Sequence, residues 1–127
     1  MKRMLLAVTM TACLAVETSA HHSFAAFYFE EQSVSITGEV LQFDYTAPHA
    51  WVHVTAPDEA GVARRYSAEW ANPSRLARDG ITKETLRAGD RVTITGSPGR
   101  KTSEYRVHLK GIERPADGWS WRGRRRR

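Results

Sequence analysis

The 127-residue chain has one cysteine, Cys13, and it lies inside an N-terminal apolar run. Any domain downstream of that run has no disulfide and no thiolate ligand, so its stability must come from an apolar core. Long apolar stretches are also scarce. Met4 to Val16 carries no charge but is too short to cross a bilayer, and no later run is apolar enough for a membrane helix. No Walker or dinucleotide-binding glycine loop is present. No glycine-flanked serine marks a nucleophile elbow, and no cysteine nucleophile remains after Cys13. These absences leave a small binding module, without an evident enzyme's machinery, as the reading to develop.

Lys2 and Arg3 precede the apolar run, and Glu17-Thr18-Ser19-Ala20 closes it on small residues. That three-part pattern predicts a secretory signal over residues 1–20, cut after Ala20, and a periplasmic or secreted mature chain. The competing reading is lipoprotein processing at Cys13, since Met10-Thr11-Ala12-Cys13 loosely resembles a lipobox. The stretch beyond residue 20 is long enough for one small domain and too short for two.

The whole chain has 19 Lys+Arg against 14 Asp+Glu. Without Lys2, Arg3 and Glu17 the balance is 17 against 13, and five of those 17 are Arg122, Arg124, Arg125, Arg126 and Arg127. Residues 21–121 are thus close to neutral. The basic character belongs to a tail rather than to a binding face, which weakens a nucleic-acid reading of the domain. Residues 115–127 are expected to form a disordered Arg-rich tail, with weak contact to an anionic surface through Arg122–Arg127 as its sharper use.

Residues 21–33 read as an arm that docks on the domain, because Phe24, Phe27, Tyr28 and Phe29 crowd into six positions. Val34 to Tyr45 is a first strand whose apolar phase slips at Val40-Leu41, just after Gly38, as a bulge or bend requires. His49 to Ala56 is a second strand and Val62 to Trp70 a third, joined by the turn residues Pro57-Asp58-Glu59-Ala60-Gly61. Asn72 as N-cap, Pro73 at the first position and Gly80 as stop define a short helix. Arg91 to Gly96 is a fourth strand, Ser97-Pro98-Gly99-Arg100 a turn, and Tyr105, Val107 and Leu109 alternate along a fifth. Three strands, a helix and two strands predict a mainly β, OB-like, five-stranded Greek-key barrel over residues 34–114.

On these residues the chain resembles a family of exported bacterial proteins known only as a domain of unknown function. The likeness rests on His21-His22-Ser23-Phe24-Ala25, Thr37-Gly38-Glu39-Val40 and Pro48-His49-Ala50-Trp51. It extends through Leu76, Gly80, Leu86, Gly89-Asp90-Arg91-Val92 and Thr95-Gly96. It covers about residues 21–112. One departure stands out: Ala47 occupies a place where the family reads Asn before Pro-His. The resemblance implies an exported small β-barrel and supplies no reaction.

The histidines carry the functional reading. With a side-chain period of two, His49, Trp51 and His53 share one strand face and Ala50, Val52 and Val54 the other, which reads as core. Cleavage after Ala20 would place His21 first, where its α-amine and ring Nδ1 can chelate one metal. Amine and imidazole nitrogens suit Cu(II). His21 and His49, with His22 or His53 assisting, are therefore the candidate metal ligands. Four residues of strand separate His49 and His53 by ~13 Å, too far for both to reach one ion, and His49, at the strand's mouth beside Pro48, is preferred. The arm supplies the route, with Phe24 and Phe27 packing near Trp51. The plain alternative is an exposed polar terminus, a turn-capping His49 and a solvent-side His53. In that case the module is metal-free and binds an adaptor partner or an anionic polymer through Trp51 and the basic tail. His108, between Arg106 and Lys110, is expected on a wet, positive face, and Glu39, Asp44 and Glu69 as solvent or edge carboxylates.

Overall fold

A computed structural model describes residues 24–124. Residues 1–23, which hold the expected secretory signal, His21 and His22, and the last three arginines lie outside the described residues. Within them, after a helical turn at residues 24–27, the elements run in chain order: β1 (Val34–Asp44), β2 (Trp51–Pro57), β3 (Ala63–Glu69), the short helix α1 (Pro73–Arg78), β4 (Arg91–Pro98), β5 (Arg106–Arg114) and β6 (Trp119–Arg122).

The sheet runs β3-β2-β1-β4-β5-β6, and a further β3–β5 pairing closes the first five strands into a barrel. That closing seam is short and parallel, joining Ser67, Ala68 and Glu69 to Arg106, Val107 and His108. The other strand pairings are antiparallel. The closure, with α1 between β3 and β4, is the OB-like arrangement that the strand order predicts.

A closed barrel needs strands that bend, and the bends sit where the sequence slips phase. The β1–β2 register shifts between Val40 and Gln42, and Leu41 is pushed out to 41% exposure. Beside it, a Cβ on Gly38 would collide with the Thr55 carbonyl, so only glycine allows this approach. A second shift falls between Thr95 and Gly96, where a Cβ would strike the His108 carbonyl.

Inward-facing side chains fill the barrel: Val40, Val52, Val54, Ala68, Val92, Ile94, Val107, Leu109 and Ile112 are all buried. Trp70 and α1 plug one end. Asn72 Oδ1 accepts the Arg75 N–H at 2.9 Å. Gly80, at φ 79°, lets the Gly80 and Ile81 N–H groups bond back to the Ala77 and Leu76 carbonyls. This seats Leu76 and Ile81 together in the core. The Tyr45 hydroxyl lies 2.9 Å from the Pro73 carbonyl and 2.8 Å from that of Ile81, tying β1 to both ends of this segment.

Three expectations are corrected. The chain does not stop folding at Pro115: Gly118 turns it back and β6 pairs with the second half of β5. Trp121 then stacks edge-on against Trp70 at 5.1 Å and donates its indole N–H to Asp79 at 2.9 Å. Two alternating tryptophans on a four-residue strand supply enough apolar surface to hold it, despite the low average hydropathy around them. Secondly, Ser97 and Pro98 belong to β4 rather than to a turn, because the arm pairs with their end through a Tyr28–Gly99 bridge. Thirdly, β3 starts at Ala63 rather than at Val62, which is 47% exposed.

Candidate functional site

The arm packs on the outer face of the β3–β5 seam. Residues 24–27 form a helical turn, and Phe29 N–H donates to the Pro98 carbonyl at 2.9 Å while Arg100 N–H donates to the Phe27 carbonyl at 2.8 Å. Tyr28 is fully buried, and its hydroxyl donates to Glu69 Oε2 at 2.5 Å. Burial first, and the Glu69 carboxylate second, raise the pKa of this phenol well above the usual tyrosine value, so it remains a donor.

Glu69 is the hub of the face. Its side chain is only 12% exposed. It also accepts from His49 Nδ1 at 2.7 Å and from the Arg106 guanidinium at 3.2 Å. Because a carboxylate accepts only, His49 Nδ1 carries a proton, and in the neutral ring Nε2 is the nitrogen left with a lone pair. A histidine held this way, with its second nitrogen open, is the usual construction around a bound metal.

Phe24 lies on this histidine. Its ring stacks on His49 at 5.2 Å and on His108 at 3.9 Å, the latter within 4° of parallel. The arm's socket is thus the His49–His108 pair and not Trp51. Phe27, expected to pack inward, is 58% exposed with the Arg106 guanidinium 5.7 Å from its ring. The physical reason is Tyr28: its hydroxyl is fixed to Glu69 over the seam, and that draws the arm toward β5.

His108 does not sit on a wet, positive face. Its Nδ1 lies 2.7 Å from Glu30 Oε1, and its side chain is 18% exposed. Burial is the main influence lowering its pKa below the usual histidine value, and Glu30 partly opposes it. Lys110, expected to add positive charge beside it, is 3.3 Å from Glu30 and 2.5 Å from Ser97 Oγ.

His53 stands apart from His49. Its Nδ1 lies 2.9 Å from Ser67 Oγ and its Nε2 3.1 Å from Asp44 Oδ2, so both nitrogens have protein partners. Trp51 lies between the two histidines in sequence, with the Arg106 guanidinium 5.1 Å from its ring. Among the described residues, no three His, Cys, Asp or Glu side chains gather as a metal cage. Glu69 and Asp44, read from sequence as edge carboxylates, are instead the residues that orient the two histidines. The alternation of β3 places Glu69 outward, but nothing local shows which strands would flank it.

The model of a family of unknown function, DUF6152, matches residues 9–107. The chain belongs to this family. No curated protein matches it. Among solved structures, a mitochondrial single-stranded DNA binding protein of S. cerevisiae, Rim1, is similar at 16% identity and a TM-score of 0.47. The likeness covers 65% of this chain and 92% of that one. Among the described residues, no helix of this DUF6152 member is long and apolar enough to cross a membrane.

Proposed function

We propose that this DUF6152 protein is an exported binding module that holds a transition metal, copper(II) foremost, at the mouth of its barrel. His21 would supply its freed amine and ring Nδ1, His49 its Nε2, with His22 assisting. The observation that carries the reading is the His49–Glu69 hydrogen bond at 2.7 Å with Phe24 stacked on the same imidazole. Phe24 lies three residues beyond His21, a span of at most ~11 Å, so the chain enters the described region within reach of His49 Nε2. Glu69 supports the reading by fixing the histidine's tautomer and raising its basicity. The nitrogen-rich donor set and the scarcity of thiolate favour Cu(II).

The test is calorimetric titration of protein beginning at His21 with Cu(II), together with the mass of the natural N-terminus. One equivalent should bind, and His21→Ala, His49→Ala and a glycine added ahead of His21 should each weaken it strongly. Binding indifferent to the added glycine, or a mature chain that does not start at His21, overturns the amine–imidazole site.

A further inference from the structure

A second constellation lies beside this one and is not used by it. Asp44, Trp51, His53, Ser67, Glu104 and Arg106 line an open depression of about 590 Å³ on the outer face of the barrel. Register places them: Asp44 pairs with Trp51, His53 with Ser67, and Ser67 with Arg106, so the row crosses β1, β2, β3 and β5. Of these six, Arg106 also touches the histidine site, through Glu69.

The side chains are held in place. Asp44 accepts from His53 Nε2 at 3.1 Å and from the Gln42 amide at 2.6 Å. With its Nε2 proton on Asp44, His53 leaves Nδ1 to accept the Ser67 hydroxyl at 2.9 Å. The Trp51 and His53 rings lie within 7° of parallel at 6.4 Å. This gives a fixed flat aromatic wall beside a row of fixed polar groups.

The charges decide what such a wall can take. Asp44 and Glu104 are both anionic. Arg106, the cation among the lining residues, is 3.2 Å from Glu69 and 3.6 Å from Glu104, so its charge is already opposed. Glu104 is also 3.4 Å from Lys101, but among the described residues no Lys or Arg pairs with Asp44, so a phosphate or carboxylate polymer would be repelled there. A neutral ring bearing hydroxyls would not. Its C–H face can lie on the indole, its hydroxyls can donate to Asp44, Glu104 and the Ser67 oxygen, and Arg106 can donate to its oxygens. The outer face of strands two and three is also where OB-like barrels take extended ligands, oligosaccharides among them.

We infer that this depression is a binding site for a neutral, pyranose-containing oligosaccharide, with Trp51 as its stacking platform and Asp44 as its principal hydroxyl acceptor. The site is independent of copper.

The probes are neutral glucose, xylose and N-acetylglucosamine oligomers and, as the opposing arm, single-stranded oligodeoxythymidine. Binding is read by calorimetry and tryptophan fluorescence with a chelator present throughout, which separates this site from the metal reading. At least one neutral oligomer should bind saturably. Trp51→Ala and Asp44→Asn should each weaken it about tenfold or more, with Trp51→Phe retaining most of the affinity. A thermal melt of each variant separates lost binding from lost fold, and Asp44→Asn, at the half-exposed rim, carries the test if Trp51→Ala does not fold. No binding by any neutral oligomer, wild-type affinity in folded Asp44→Asn, or preference for the oligonucleotide overturns the inference.

Discussion

His49 Nδ1 and Glu69 Oε1 lie 2.7 Å apart, and the same carboxylate holds the Tyr28 hydroxyl through its other oxygen. One acidic side chain therefore fixes both the candidate ligand histidine and the arm whose Phe24 lies on it.

Glu69→Gln keeps the size of the side chain and removes its charge. Cu(II) affinity of the His21-first protein should fall about 10–100-fold, because the histidine loses the partner that sets its tautomer and basicity. Calorimetric titration checks this. Unchanged affinity would separate Glu69 from the metal.

Tyr28 separates anchoring by hydrogen bond from anchoring by burial. Tyr28→Phe should cost about 1.5–3 kcal/mol, the value of a hydrogen bond to a charged acceptor. Tyr28→Ala should cost about 3–5 kcal/mol, as for other buried aromatics. Urea denaturation gives both numbers, and equal losses would mean that the ring's burial adds nothing to the hydroxyl's bond.

The arm should loosen on acidification. His108 is faced by Glu30, Lys110, Glu69, Phe24 and Tyr28, and the balance, led by burial, lowers its pKa in the folded state. The neutral form is then the one that folding favours. Its contribution is complete above the unfolded value of about 6.5 and is lost as pH falls through the folded value. The melting temperature should drop below that pH, and less steeply in His108→Gln. Parallel curves for the two proteins would remove His108 from this role.

The β6 latch is tested at Trp121. Trp121→Ala uncovers Trp70 and should cost about 2 kcal/mol, less than a fully buried tryptophan because Trp121 is half-exposed. Trp121→Phe keeps a ring against Trp70 and loses only the bond to Asp79, about 1 kcal/mol. If Trp121→Ala melts like wild type, β6 is not part of the stable fold.

Gly38 and Gly61 should fail for different reasons when changed to alanine. At Gly38 the new Cβ meets the Thr55 backbone, which cannot give way without moving β2, and the loss should be about 1–3 kcal/mol. At Gly61 nothing lies near, and only its φ of 80° opposes a side chain, at about 1 kcal/mol. Denaturation midpoints that rank the two in the reverse order would contradict this account of the β1 bend.

Much of the barrel is legible in the residue pattern. The slip at Val40-Leu41 announces the bulge, Asn72-Pro73 and Gly80 announce the helix, and the alternation from Ala50 to Val54 announces which face is core. The last strand is not legible, because Trp119 and Trp121 have no periodic apolar neighbours. Trp121 is held by Trp70 and Asp79, about forty to fifty residues earlier in the chain, and the Trp119 ring lies under the Arg114 guanidinium at 5.3 Å.

Local order, then, settles which segments are strands, where they bend and which side faces inward, since these depend on periodicity, glycine sterics and capping within a few neighbouring residues. The sequence also offers His49, Trp51 and His53 as one outward row. It does not tell them apart. The pairing of β1, β2 and β3 gives His53 to Asp44 and Ser67 and sets Glu69 beside His49, and only the closing of β3 on β5 brings Arg106 to Glu69 and His108 to the place where the arm lies. Those contacts join residues up to 84 positions apart (24 to 108), and the partners of a charged or aromatic side chain at such separations are chosen by topology rather than by any local pattern.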